Sequence, residues 1–305
     1  MQPVDLLIIG GSGFVGSKLA QAAIKIGWRV AYTYRAHSLP LLIPAFQVNL
    51  LERESLEACI TEARPSKVVY CAVPRGNELM HRAVSVEGVY RLLDTLEKAS
   101  IPAQLIYVST NSVFSGWSAS NCENDPPDPE RQSEPYRIYA MTRRAGERVA
   151  LAGWSNAIVV RTSNVEGRDI QGNLNPRLAS MVETLQKGFP FPRFVNRILS
   201  PTLVDNFAEA VLEILSADFS YRGILHVAGN QPLSDYDYAL CLARHLRIDE
   251  SLVKTNQAET SSPSKIWNIS LDVSFTQSLL KTRLLNVAQQ LAVTFPDCHI
   301  RLFQV

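Results

Sequence analysis

Ile8-Ile9-Gly10-Gly11-Ser12-Gly13-Phe14-Val15-Gly16 opens the chain's first helical pattern directly after its first apolar run. The run Val4 to Ile9 reads as a buried strand. Phe14 to Ile26 reads as a helix, with Phe14, Leu19, Ala22, Ala23 and Ile26 on one face. Glycines at 10, 13 and 16 between strand and helix allow a tight turn. They also let the backbone and the free N–H groups of a helix N-terminus approach a pyrophosphate. Strand before, helix after and spacing together predict a dinucleotide-binding turn.

Working outward, strands are predicted over Trp28–Tyr34, Ala45–Val48, Val68–Ala72, Leu105–Ser109 and Ala157–Thr162, with helices at Arg53–Glu62, Leu79–Lys98 and Tyr136–Leu151. Continuous apolar strands alternating with helices argue for a parallel sheet covered on both faces. The expected fold is therefore α/β, a Rossmann doubly wound sheet over residues 1–163. A smaller C-terminal α/β substrate-binding lobe follows over 164–305, of which 203–228 can return to the first domain. Helices are predicted there at Asn173–Lys187, Val204–Leu215 and Ser234–Leu246. The segment Ser115 to Pro135 is polar, Pro-rich and aperiodic. It reads as a long surface loop, expected to be mobile and to close over a substrate.

The second strand ends at Arg35, roughly 20 residues past the glycines, where an acidic residue would favour NAD and an arginine accommodates a 2′-phosphate. NADP(H) is thus the expected cofactor, with NAD(H) the alternative. Asn49 and Leu50, after the third strand, are placed to meet the adenine. Ser12, Phe14 and Val15 on the turn, and Cys71, Ala72, Val73 and Val108 at the ends of the fourth and fifth strands, complete the expected cofactor contacts.

Composition sets the outer bounds. The 305 residues are 46% hydrophobic and 19% charged with a formal net charge of +1, which gives no reason to expect nucleic acid or an anionic membrane as partner. No apolar stretch approaches the roughly 18 residues of a membrane span, and Leu6-Leu7-Ile8-Ile9 is too short for a signal-peptide core. Cys59, Cys71, Cys122, Cys241 and Cys298 are scattered and lack C-x-x-C spacing, as expected of reduced thiols in a cytoplasmic protein without a metal site.

Further motifs carry a resemblance that covers most of the chain. Val108-Ser109-Thr110-Asn111-Ser112-Val113-Phe114-Ser115-Gly116 ends the fifth strand. Tyr139-x-x-x-Arg143 is followed by Gly146-Glu147. Arg161-Thr162-Ser163, Ser200-Pro201-Thr202 with Asp205, Gly223 to Gly229, and Ser270-Leu271-Asp272 come after in order. With the glycine turn, these blocks resemble an extended short-chain dehydrogenase/reductase of the dTDP-4-dehydrorhamnose reductase type. The resemblance implies that Thr110 holds the substrate oxygen, that Tyr139 is the general acid, and that position 143 binds the cofactor ribose. A free tyrosine titrates near pH 10, so proton transfer at neutral pH needs a positive neighbour, and residues 139 and 143 share a helix face. Asn111, Asn164 and Arg197 are the further substrate candidates, Arg193 and Arg197 being suited to a diphosphate. His226 reads as part of a buried strand end.

Two departures from the family stand out. Arg143 replaces the family's lysine; it brings charge but cannot release a proton. The stretch Cys71 to Glu78 is shorter than its counterpart, and Ser85 sits where asparagine is usual. The function expected is NADP-dependent reduction of a keto group on a nucleotide-activated sugar or related polyol. The alternatives are a sugar-nucleotide epimerase or dehydratase, and a non-catalytic dinucleotide-binding regulatory subunit like that of methionine adenosyltransferase. A homodimer is the expected assembly.

Overall fold

Each strand of the central sheet sends alternate side chains to opposite faces, and both faces are covered. Leu6 and Ile8 pack in one core with Leu19, Ala20 and Ala23, while Leu7 and Ile9 pack in another with Leu56, Ile60 and Leu92. The structure, a computed structural model, describes residues 2–74, 76–118, 120–134, 136–260 and 262–296. Arg75, Pro135 and Cys298 of the segments discussed above lie outside the described residues.

The first elements are β1 (Leu6–Ile9), α1 (Phe14–Lys25), β2 (Val30–Tyr34), β3 (Ala45–Gln47), α2 (Arg53–Ala63), β4 (Lys67–Tyr70), α3 (Glu78–Arg82), α4 (Gly88–Lys98), β5 (Gln104–Thr110), α5 (Tyr136–Gly153) and β6 (Ala157–Thr162). Then come β7 (Val165–Glu166), α6 (Pro176–Gln186), β8 (Phe191–Phe194), β9 (Arg197–Leu199), β10 (Thr202–Leu203), α7 (Val204–Ile214), β11 (Gly223–His226), β12 (Leu233–Ser234) and α8 (Asp235–Leu246). The chain continues through β13 (Val253–Asn256), β14 (Trp267–Asn268), α9 (Ser274–Leu279) and α10 (Val287–Thr294).

The seven-stranded sheet has the order β11-β6-β5-β4-β1-β2-β3 and is parallel throughout. It is the doubly wound Rossmann sheet that the alternation of elements predicts. The strand order reverses between β1 and β4, and there the carboxyl ends of the strands open a crevice. β11 closes the sheet from the second half of the chain, and α7 packs its Phe207, Val211 and Ile214 into the same core as α1. A separate core, with Leu178, Met181, Leu242 and Leu291, holds the C-terminal lobe together.

The structure corrects two expectations. The helix expected over Leu79–Lys98 is interrupted by a π turn at Ala83–Glu87. The hydroxyls of Tyr70 and Tyr107 donate to the carbonyls of Val84 and Ser85, at 2.6 and 3.2 Å, and so compensate the disturbed helical ladder. Gly146 of α5 permits this packing: a Cβ there would lie 2.2 Å from the Ser85 carbonyl oxygen.

The segment from Ser115 is not a loose surface lid. Ser115 bonds Asp128, Asn121 donates to the carbonyls of Asn268 and Ser270, and Gln132 donates to those of Ser112 and Phe114. Glu123, buried, accepts from the Thr276 hydroxyl at 2.8 Å and the His226 amide at 3.2 Å. Its polar residues serve as buried ties between lobes, a role that composition cannot distinguish from solvation. Among the described residues, no helix is long and apolar enough to cross a membrane.

Candidate functional site

The glycine turn is held from the second strand. The Gly10 amide donates to the Thr33 hydroxyl at 2.9 Å, and the Ser12 amide to the Thr33 carbonyl at 3.3 Å. Gly10 has φ +81°, and a Cβ there would sit 2.7 Å from the Ala72 backbone; one on Gly16 would sit 2.6 Å from the Gly10 oxygen. Those two glycines are required by the fold itself. Gly13 differs: a Cβ would meet only the Gly10 oxygen, at 3.3 Å. Gly13 is also the N-cap of α1, without a side-chain cap and with no acidic residue in the first turn. The positive end of a 12-residue helix is therefore left for an external anion. Gly13→Val is expected to leave the thermal unfolding temperature within a few degrees and to abolish dinucleotide binding, read by cofactor fluorescence titration. Retained affinity in the folded variant would move the binding site elsewhere.

A cleft of about 700 Å³ runs from this turn across the strand ends. It brings together every residue expected to contact the cofactor: Gly10, Ser12, Gly13, Phe14, Val15 and Gly16 on the turn, Arg35, Asn49 and Leu50 at one end, Cys71, Ala72 and Val73 in the middle, and Val108, Tyr139 and Arg143 at the other end. Asn49 is partly spent locally, since its amide donates to Glu52 at 2.7 Å and its oxygen accepts from the Leu51 amide. Burial pushes the Cys71 thiol up to about 12, so Cys71 is a wall residue and not a nucleophile.

A second hollow of about 310 Å³ adjoins the cleft and contains the four substrate candidates Thr110, Asn111, Asn164 and Arg197. Three residues line both spaces: Thr110, Tyr139 and Ser163. Thr110 ends β5 and accepts from the Ser112 amide at 3.2 Å. The Asn111 amide group is occupied, donating to Ser163 at 3.1 Å and to the Ile269 carbonyl at 2.8 Å, so it ties β5 to the C-terminal lobe.

Behind the hollow, Arg177, Arg193 and Arg197 converge on Asp235 at 2.6, 3.4 and 3.3 Å, and Arg177 also reaches Glu166 at 3.6 Å. With its amide oriented to suit its neighbours, Asn164 offers its oxygen to Arg177. Three guanidinium groups face two carboxylates, and burial raises the pKa of Glu166 despite Arg177. The cluster is thus net positive. Arg197 lies 4.9 Å over the ring of Trp267, which Tyr136 meets at 5.3 Å. Tyr136 and Trp267 were not singled out by their sequence context; they lie far apart in the chain, and only the fold brings them together.

Arg143 lines the cleft and is held there by main-chain carbonyls. It is 1% exposed, donates to the carbonyls of Ala72 (3.0 Å) and Val108, and lies 4.7 Å over the Tyr107 ring. Its charge lies close enough to act on Tyr139, while two of its guanidinium nitrogens tie the chain just past β4 to β5. His226 is buried, and burial together with Arg161 holds its imidazole down to about 3, so it stays neutral as a structural group.

A family model for the RmlD substrate binding domain matches residues 4–268. The chain belongs to that family. The dTDP-4-dehydrorhamnose reductase of Mycobacterium tuberculosis is 28% identical over 257 residues, covering 82% of this chain and 78% of the relative. The methionine adenosyltransferase 2 subunit beta of Xenopus tropicalis is 25% identical over 281 residues, covering 88% and 80%. The structure of the Bacillus anthracis dTDP-4-dehydrorhamnose reductase in complex with NADP superposes with a TM-score of 0.77 at 17% identity, covering 97% of this chain and 100% of that one. The relatives that this chain resembles thus include both a dTDP-4-dehydrorhamnose reductase and a subunit named for methionine adenosyltransferase.

Proposed function

We propose that this RmlD family member is an NADP(H)-dependent reductase of a keto group on a nucleotide-activated sugar. The observation that carries this reading is the junction of the two hollows at Thr110 and Tyr139. A group held there meets a hydroxyl that can position its oxygen and a phenol that can protonate it. The cleft fits a dinucleotide because Gly13 leaves its backbone open and the α1 N-terminus is uncapped. Arg35, exposed at the cleft end, supplies charge for a 2′-phosphate. The nicotinamide, when bound, would supply the hydride. Tyr139 would give its proton to the substrate oxygen, Thr110 would hold that oxygen, and Arg143 would supply a positive field. The net-positive cluster ending in Arg197 suits a diphosphate, and Tyr136 with Trp267 offers a stacking surface for a base. An aldehyde or keto-acid substrate would leave this second hollow unused.

A second reading, a regulatory subunit that binds the cofactor without turnover, is favoured by the engagement of Arg143 with main-chain carbonyls. NADPH oxidation against a panel of 4-keto-sugar nucleotides separates the two. Turnover supports the reductase; tight binding with no turnover supports the regulatory subunit. In the same protein Arg35→Ala is expected to weaken NADP(H) about tenfold, equivalent to about 1.4 kcal/mol, while leaving NAD(H) affinity unchanged. Equal loss for both cofactors would remove Arg35 from the 2′-phosphate.

A further inference from the structure

His81 stands beside Tyr139 and has no part in the chemistry above. It lies in α3, where the Asn77 side chain accepts from the Met80 amide at 3.1 Å and the His81 amide donates to the Asn77 carbonyl at 3.0 Å. Its neighbours Met80 and Val84 line the cofactor cleft. The imidazole meets the Tyr139 ring edge to face, with centroids 6.0 Å apart at 83°. Its Nδ1 is buried and has no hydrogen-bond partner, although the residue as a whole is only half-buried. A buried ring nitrogen without a partner is uncommon, because each such group forfeits hydrogen bonding to water. Arg143, by contrast, cannot lose a proton, and two main-chain carbonyls hold its guanidinium.

We propose that His81 is the relay that returns a proton to Tyr139. The inference rests on the reductase reading. When the Tyr139 O–H bond breaks and its proton passes to the substrate oxygen, a phenolate remains. A neutral imidazole can give its N–H proton to that oxygen through one bridging water, while its other nitrogen takes a proton from solvent. The ring ends neutral with the proton on the opposite nitrogen, and nothing is oxidised or reduced. Arg143 steadies the phenolate by charge throughout.

The charges around His81 suit a neutral ring. Arg143 faces it from α5, and on its own helix Arg82 is paired with Glu87 at 3.6 Å. Burial, and then the Arg143 charge, hold the imidazole below its usual range. Histidine also places its exchangeable proton on a half-exposed ring, which the lysine-less helix face cannot do.

The test follows NADPH oxidation against pH with a 4-keto-sugar nucleotide, for wild type and His81→Phe, the latter keeping a ring against Tyr139. The expected result is a fall in kcat of about 10²-fold, at the low end for a positioned acid. KM should be unchanged, the loss should deepen as pH rises, and added imidazole should restore part of the rate. His81→Gln serves if His81→Phe fails to fold. In parallel, labelled-histidine NMR of the protein without cofactor should find His81 neutral at pH 7. Wild-type turnover with an unchanged rate and pH profile in the variant overturns the relay alone, as does a His81 charged at pH 7. Absence of wild-type turnover overturns the reductase reading and the relay with it.

Discussion

Tyr139→Phe is expected to lower turnover by about 10²–10⁴-fold, the usual contribution of a positioned general acid, with cofactor affinity little changed. The variant removes one oxygen and keeps the ring that packs against His81. Binding should survive because the cleft extends well beyond position 139, from the glycine turn to Arg35. The companion substitution is Arg143→Lys. A lysine cannot bridge the Ala72 and Val108 carbonyls as the two guanidinium nitrogens do, so stability should fall somewhat. A freed ammonium can instead reach toward the tyrosine and exchange a proton. Turnover should therefore hold or rise. Stopped-flow NADPH oxidation measures both. Unaltered turnover in Tyr139→Phe would assign the proton to another group. A wild type without turnover that Arg143→Lys does not rescue would favour the regulatory reading.

How much of this was legible in the sequence depends on the range of the interaction. The glycine turn is local: strand, glycines and helix follow one another within about a dozen residues, so residue type and spacing specify it. The parallel sheet follows from the same local patterns, repeated. Thr110 and Tyr139 were recognisable because each sits in a block whose residue types resemble a known family. What escaped was set by contacts between distant segments. The π turn depends on hydroxyls from Tyr70 and Tyr107, on two different strands, and on the absence of a side chain at Gly146. The polar run after Ser115 resembles solvent-exposed chain until Asn268, Ser270 and Thr276 are seen to receive it. Arg143 could be read as a substituted lysine, but its engagement with two strand-end carbonyls is a property of the assembled cleft. His81 carries no local signal; its significance comes from a ring contact across 58 residues of sequence.

Glu147→Ala should produce the largest loss of stability, about 3–5 kcal/mol, for reasons that also link the core to the site. Glu147 lies two turns beyond Tyr139 on α5 and is fully buried. Arg161 of β6, equally buried, grips it with two bonds of 2.9 Å, Ser109 of β5 donates at 2.6 Å and Arg144 at 2.8 Å. The carboxylate thus fixes the helix that carries Tyr139 to the strand that carries Thr110. Removing it leaves the Arg161 charge in the interior beside Phe114 and His226, with no carboxylate paired to it among the described residues. Against a typical native stability of about 5–15 kcal/mol, that loss is severe. Urea titration should show a lower midpoint with an unchanged slope. Replacing both partners, Glu147→Ala with Arg161→Met, should recover much of the loss, because the fully buried Arg161 charge is then gone and Arg144, whose side chain is partly exposed, keeps access to water. The pH dependence has a definite sign. Burial works to raise the Glu147 pKa, but the hydrogen bonds and charge of Arg161, with Ser109 and Arg144, hold it below its ordinary 4.5. A group depressed in the native state contributes stability above its unfolded pKa and loses it as pH falls through the native value. Wild-type stability should therefore decline in acid below about pH 4.5, and Glu147→Ala should show a flatter decline over the same window. A loss under about 1 kcal/mol in Glu147→Ala, small against the 3–5 expected for a broken buried pair, would mean that the stranded arginine finds water, and that α5 is held to the sheet by apolar packing alone.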